Sequence, residues 1–132
     1  SGNLRIDPNL TRTGDNSCLF VVKGNVSIGT GSTGPLILLN SSARPNYDIV
    51  EASFVSNGYI WSDNNPTNAN AKGEGLYIHG SVLTNSYFEW NRDLNTTVNA
   101  LYPAILINSD PIYYLNFRQD LRVKDYSIRE VR

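Results

Sequence analysis

The side chains that most often do chemistry in proteins are scarce in this chain. His79 is the only histidine and Cys18 is the only cysteine, so the sequence offers neither a multi-histidine metal site nor a cluster of thiolates. No Gly-x-Ser-x-Gly turn presents a serine that His79 could activate. We therefore expect His79 to lie in a strand beside a turn, and Cys18 to be a buried, unreactive thiol.

Carboxylates are the next candidates for chemistry. Glu89 and Asp93 flank Trp90, and two carboxyl groups that converge on a sugar can cleave its glycosidic bond. Separation along the sequence does not show convergence in space, and Arg92 lies between the two carboxylates as an ion-pair partner for either. The arrangement therefore predicts a local ion pair rather than a catalytic site.

One polar stretch resembles a calcium-binding loop only loosely. Asp63, Asn65, Thr67 and Glu74 fall at ligand positions of such a loop, but Asn68 stands where the loop requires glycine. We expect a solvated surface loop instead. The sequence therefore predicts a protein that is not an enzyme, with no catalytic residue, no cofactor and no metal site.

Aromatic side chains support a different class of function. Trp61 and Trp90 are candidate glycan contacts, because an aromatic ring offers a large apolar face with a polar edge. Packing in a core or an interface is the competing explanation for both residues. The alternative functional prediction is therefore a carbohydrate-binding or carbohydrate-processing β-rich module.

Four Asn-x-Ser/Thr sequons are candidate glycosylation sites, at Asn9, Asn25, Asn40 and Asn95. Their number is close to what the abundance of asparagine, serine and threonine produces by chance. If the protein is exported, we expect covalent glycans first at Asn40 and Asn95, which lie in polar segments.

The elements that would position these residues are short strands. The 132 residues are 40% hydrophobic and carry a formal net charge of −1, which gives no basic patch for nucleic acid. Apolar runs alternate with turn residues, and none approaches the ~20 residues of a membrane span. The sequence therefore predicts a single β-rich domain over residues 1–132. The predicted strands lie near Asn3–Ile6, Leu19–Lys23, Val26–Ile28, Leu36–Leu39, Ile49–Val55, Tyr59–Trp61, Gly75–His79, Ser81–Thr84, Tyr87–Trp90, Ala104–Ile107, Ile112–Phe117 and Leu121–Tyr126.

A recurrent glycine indicates how these strands are arranged. Gly2, Gly24, Gly58 and Gly80 each precede alternating apolar residues, at steps of 22, 34 and 22 residues. Two equal steps around a longer one are typical of a solenoid with one inserted loop, expected within residues 30–47. We predict an all-β fold, a parallel β-helix with a less regular C-terminal third. The regular spacing of turns leaves a β-sandwich or jelly roll as the alternative.

Two segments resemble a known family. Residues 21–29, "VVKGNVSIG", and residues 76–86, "LYIHGSVLTNS", are similar to the repeat units of bactofilin-type polymer-forming solenoids. The order of segments from about residue 19 to residue 131 resembles the C-terminal part of uncharacterised surface proteins of candidate-phylum bacteria. Its most specific pieces are "NRDL" at 91–94 and "PA" at 103–104. The resemblance to bactofilins implies a domain that polymerises without nucleotide and has no active site.

The two ends of the sequence are the predicted assembly surfaces. Residues 1–13 are mostly polar, with Leu4 and Ile6 as an apolar pair, and are a candidate strand for exchange with another subunit. Residues 101–132 are expected to cap the stack of coils or to cover a neighbouring subunit. Their apolar interface candidates are Ile112, Tyr113, Tyr114 and Phe117. An uncapped stack ends in strand edges that can template the next copy.

These observations predict a non-enzymatic structural subunit of an extracellular surface filament or layer. Its partners would be copies of itself, joined head to tail by strand pairing and apolar contacts, with covalent glycans as a further attachment and no nucleic acid. The chain has three lysines and does not begin with methionine, which we interpret as a processed or excised chain. Together with its many asparagine, threonine and tyrosine residues, this favours a location at the cell surface.

Overall fold

The computed structural model describes residues 2–7, 10–14, 18–30, 45–63, 74–94, 98 and 100–109. These residues form ten short strands, β1 to β10 in chain order. The strands are Leu4–Ile6, Leu19–Val22, Val26–Ile28, Tyr47–Val50, Ser53–Ser56, Ile60–Ser62, Gly75–His79, Val82–Thr84, Phe88–Trp90 and Ile105–Asn108. Within the described ranges, no helix is long and apolar enough to cross a membrane.

The strands form three parallel sheets, each of which takes every third strand. Sheet A has the order β1-β3-β6-β9, sheet B the order β4-β7-β10, and sheet C the order β2-β5-β8. Every pairing between these strands is parallel. The predicted parallel β-helix is confirmed, and the alternative of a sandwich or jelly roll is wrong because those folds are built mainly from antiparallel strands.

The chain winds through sheets C, A and B in each coil. We call β2–β4 the first coil, β5–β7 the second and β8–β10 the third. A leading coil precedes them, in which β1 pairs with β3 and Leu10 forms a parallel bridge with Val50. β10 pairs with β7 over four residues, so part of the C-terminal third belongs to the solenoid. Residues 110–132 lie outside the described residues.

Alternation along the strands fills the interior with apolar side chains. In sheet A, Val26, Ile28 and Ile60 point inward and are fully buried. Leu76 and Ile78 from sheet B and Phe54 from sheet C join the same cluster. Because successive residues of a strand face opposite sides, one register places all of these side chains in one core. Each buried aliphatic side chain contributes about 1.5–3 kcal/mol.

Three of the four predicted glycines stack at one corner. Gly24 N–H donates to the Gly2 carbonyl, and Gly58 N–H donates to the Gly24 carbonyl, each at 3.0 Å. A Cβ on Gly58 would lie 2.8 Å from the carbonyl carbon of Gly24. The coils therefore approach each other at this corner too closely for a side chain, which explains the recurrent glycine.

The fourth glycine lies at a different corner. Gly80 lies between sheets B and C, where it approaches the backbone of Ala52. The final step of 22 residues is therefore not a coil. The real step between the second and third coils runs from Ile60 to Phe88, which is 28 residues.

The predicted strand at 49–55 was also wrong, because it spans a corner. Tyr47–Val50 belongs to sheet B and Ser53–Ser56 to sheet C, and only Glu51 and Ala52 separate them. The predicted strands at 36–39, 112–117 and 121–126 lie outside the described residues.

The three corners differ greatly in length. Two residues connect sheet B to sheet C after β4 and after β7, and three connect sheet C to sheet A in all three coils. Eight residues separate Leu10 of the leading coil from β2. The A–B corner instead spans Gly29–Asn46, Asp63–Glu74 and Asn91–Ala104 in the three coils. The longest of these connections coincides with the predicted insertion, although its residues 31–44 lie outside the described part.

The last A–B connection covers the outer face of sheet B. Tyr47, Tyr77 and Leu94 form a second buried cluster there. The Tyr47 hydroxyl donates to the Pro103 carbonyl at 2.6 Å. Sheet B is therefore covered on both faces, which parallel sheets generally require.

Candidate functional site

The side chains most able to take part in catalysis or metal binding lie apart from one another. His79 ends β7, where its ring stacks on Tyr77 and its Nδ1 lies 3.9 Å from Glu51 Oε1. Cys18 packs partly buried against the core, and burial raises the pKa of its thiol. A raised pKa leaves less thiolate at neutral pH, in keeping with the expected unreactive cysteine. No group of three or more metal-ligating side chains occurs among the described residues.

The two tryptophans lie on opposite faces of sheet A. Trp61 is in register with Glu89 on the outer face, whereas Trp90 is in register with inward-facing Ser62. Trp90 packs partly buried against the core. The structure therefore does not bring Trp61 and Trp90 together as one stacking platform, and each remains a separate candidate for glycan contact.

Of the four predicted glycosylation sites, only Asn25 lies among the described residues. Its Oδ1 accepts a hydrogen bond from Tyr59 N–H at 3.2 Å, and its own N–H donates to Asn3 Oδ1 at 2.9 Å. Asn25 is therefore part of a ladder that links three coils. Asn9, Asn40 and Asn95 lie outside the described residues.

The two ends of the calcium-like stretch lie near different charged groups. Asp63 lies 3.1 Å from Arg5 of β1, which links the second coil to the leading coil. Glu74 lies at the other end, next to Asp48 and Arg92. The intervening residues 64–73 lie outside the described part of the chain.

A buried ion pair occupies the A–B corner. Arg92, which follows β9, donates from Nη1 to Oδ2 of Asp48 in β4 at 2.6 Å, and the two side chains are 1% and 0% exposed. Arg92 Nη2 also donates to the Gly29 carbonyl. Asp48 and Gly29 belong to the first coil and Arg92 to the third. The arginine side chain therefore ties together coils that are not adjacent.

The charges of this ion pair affect the pKa of Glu74. Its pKa is raised above that of an ordinary glutamate, first by burial and then by the negative charge of Asp48, whereas Arg92 acts to lower it. The charged form of Glu74 is therefore less favourable in the folded protein than in the unfolded chain.

We expect Glu74→Gln to stabilise the protein at neutral pH and to have no effect in acid. A carboxyl group with a raised pKa binds its proton more tightly when folded, so stability falls as pH rises through the interval between its unfolded and folded pKa values. Glutamine does not ionise, so the variant does not lose stability as the pH rises through this interval. Thermal unfolding of both proteins between about pH 4 and 8 measures the difference, and a gain confined to acid would contradict the expectation.

The third coil ends in an apolar surface. Phe88 and Ile107 point inward in register with fully buried Ile60 and Ile78, yet they are 43% and 42% exposed. Trp90 stacks on Phe88 with ring centroids 5.4 Å apart. We call Phe88, Trp90 and Ile107 the end face. No strand among the described residues pairs with the outer edge of β9 or β10.

The opposite end of the stack is formed by the leading coil. Leu4 and Ile6, two of the predicted interface residues, point inward from β1, and Ile6 is buried. β1 pairs with β3 of the same chain. The other predicted interface residues, at positions 112, 113, 114 and 117, lie outside the described part of the chain.

Sequence reasoning missed the end face, and it expected Arg92 to pair with Glu89 or Asp93, whereas the structure pairs it with Asp48. Phe88 and Ile107 could have been found by adding one coil step to the core residues Ile60 and Ile78, once the step was known. The pairing of Arg92 with Asp48 had no such signal, because 44 residues separate the partners.

Comparison of the chain with protein families, with curated proteins and with solved structures yields no match in any of the three. The β-solenoid is therefore established by the order and direction of its own strands.

Proposed function

We propose that this chain is a non-enzymatic structural subunit of an extracellular surface filament or layer, assembled head to tail from copies of itself. The proposal rests mainly on the end face. Its aromatic and aliphatic side chains belong to the same columns as the buried core, yet Phe88 and Ile107 are 43% and 42% exposed. Another coil placed on them would extend both the core and the sheets.

The two ends of the stack also suit an open polymer. The outer edges of β1 and β9 belong to the same sheet and run in the same direction. A contact between two different ends of a subunit does not close on itself, so it generates filaments rather than dimers. Exposed strand edges of this kind are the usual route to pairing between chains.

The resemblance to bactofilin-type solenoids and to bacterial surface proteins supports the same proposal. The repeating parallel sheets agree with that resemblance at the level of the fold. The surface location rests on composition and on the resemblance alone.

We expect the purified chain to form fibres of uniform width. Sedimentation velocity over a range of concentrations should show a growing assembly, and negative-stain microscopy should show fibres. The matched variant is Phe88→Lys, which places a charge on the exposed end face of the third coil and leaves the cores of the other coils unchanged. This variant should remain folded and monomeric. A native chain that stays monomeric at high concentration would overturn the proposal.

A further inference from the structure

We propose a specific joint for this assembly: β9 of one copy pairs in parallel with β1 of the next, with Glu89 opposite Arg5 of the next copy. This inference rests on the proposed function, because it specifies the contact through which copies would join. It is argued from the register of sheet A, the charges at its two ends and the exposed side chains of the third coil.

The columns of sheet A continue across such a joint without a break. One inward column runs from Leu4 through Val26 and Ile60 to Phe88. Repeating the sheet by one further strand places Leu4 of the next copy on Phe88. By the same rule, Trp90, which ends the neighbouring column, stands in register with Ile6 of the next copy, whose side chain is only 6% exposed and adds little contact.

The register of sheet B independently places the leading coil of the next copy on the third coil. The inward column of sheet B runs from Leu10 through Val50 and Ile78 to Ile107. The next copy therefore places Leu10 on Ile107. Phe88 and Ile107, the two most exposed side chains of the end face, therefore each receive an apolar partner from a single placement of the leading coil.

The charges at the two ends are complementary. The outward column of sheet A begins at Arg5, passes through Ser27 and Trp61, and ends at Glu89. Arg5 and Glu89 are both exposed. The joint places these opposite charges directly across from each other, an arrangement that favours one register over its neighbours.

The backbone groups also match. Within the sheet, Leu4 N–H donates to the Asn25 carbonyl, and Gly29 N–H donates to the Ile6 carbonyl. If the same hydrogen-bond pattern continues across the joint, Phe88 N–H donates to the Asn3 carbonyl of the next copy. The pattern also pairs Asp7 N–H of the next copy with the Trp90 carbonyl. A slip by one residue would turn the inward side chains outward.

The first test is a charge exchange. Glu89→Arg places two arginines at the joint and should raise the concentration needed for assembly roughly three- to tenfold at low salt. Arg5→Glu combined with Glu89→Arg restores opposite charges across the joint and should recover part of the loss, because Arg5 also pairs with Asp63 of its own copy. Lys23→Glu is the control, because it also changes the net charge by two but lies at the exposed C–A corner after β2, outside the strands of the proposed joint. Sedimentation after assembly measures all four proteins.

The second test is a disulfide across the joint. In one copy, residues 5 and 89 lie three strand spacings apart, about 14 Å, which is too far for a disulfide. Arg5→Cys with Glu89→Cys, in a Cys18→Ala background, should therefore give a ladder of covalent multimers after mild oxidation. Lys23→Cys with Glu89→Cys should give none.

The outcomes separate the joint from the proposed function. If the native chain assembles but the charge exchange has no effect and no covalent ladder forms, the joint is wrong and assembly proceeds through another surface. If the native chain does not assemble, both the joint and the proposed function fail. Assembly with rescue by the double charge exchange and a specific covalent ladder supports both.

Discussion

Replacement of Arg92 by methionine should lower the free energy of unfolding by about 3–5 kcal/mol, one of the two largest effects expected from a single substitution here. Methionine retains much of the length of the side chain but leaves the Asp48 carboxylate without its counter-charge. Asp48 is fully buried in β4. A buried carboxylate that loses its counter-charge must either stay charged at high cost or take up a proton. Urea unfolding at neutral pH measures the loss.

The matched control removes both charges. Arg92→Met combined with Asp48→Leu should recover most of the lost stability, because Asp48 stands in register with the buried Leu76. Arg92 Nε is itself buried without a hydrogen-bond partner, so the native pair carries an uncompensated cost that the apolar pair avoids. If the double variant is as unstable as Arg92→Met alone, the loss comes from packing and not from charge.

Gly80→Ala should lower the free energy of unfolding by about 3 kcal/mol or more, mainly through steric overlap with the adjacent coil. Gly80 also has a φ of 158°, which residues with a side chain rarely adopt. A Cβ at this position would overlap the Ala52 carbonyl and lie 3.1 Å from Ser53 N. These atoms belong to the backbone of the adjacent coil, so they can move only if the B–C corner opens.

Gly14→Ala is the control for this experiment. Gly14 has a φ of 68°, and a Cβ there would have no atom within 4 Å. Its substitution should therefore cost only the strain of a left-handed backbone, about 1–2 kcal/mol. Chemical unfolding of the two variants side by side tests the distinction. Equal losses would mean that close approach of the coils is not what requires glycine at position 80.

The alternation of apolar residues was enough to predict the fold class. Val26 and Ile28, for example, both point inward because they are two residues apart in a strand, and the recurrence of the same pattern after Gly58 predicted a second coil. Local signals of this kind depend only on neighbours in the sequence. They located most of the described strands to within a residue or two.

The corners were harder to predict because their meaning depends on contacts between coils. Gly58 and Gly80 look alike in the sequence, yet Gly58 stacks on Gly24 and Gly80 stacks on Ala52. The residues from 49 to 55 read as one apolar run, although the chain turns at Glu51 from one sheet to the next. Neither difference is visible until the coil step is known.

In the candidate site, too, the residues marked by a local sequence pattern were predicted, and those that depend on contacts between coils were not. Leu4 and Ile6 were predicted as interface residues because they are the apolar pair near the N-terminus. Phe88 and Ile107 were not, since their exposure depends on which coil is last. The ion pair of Arg92 and Asp48 depends on a contact between the third and first coils, and no local pattern encodes it.

The unequal corners have a consequence for protein engineering. In the three coils the long connections leave at the A–B corner, whereas the B–C corners after β4 and β7 and all three C–A corners keep a constant length. The strands that flank an excursion pair with adjacent coils, so added length there need not disturb the register. Peptides grafted at this corner would be displayed in a row along one edge of the rod, at intervals of about 4.8 Å per coil. The molecule would thus serve as a ruler-like carrier for closely spaced epitopes.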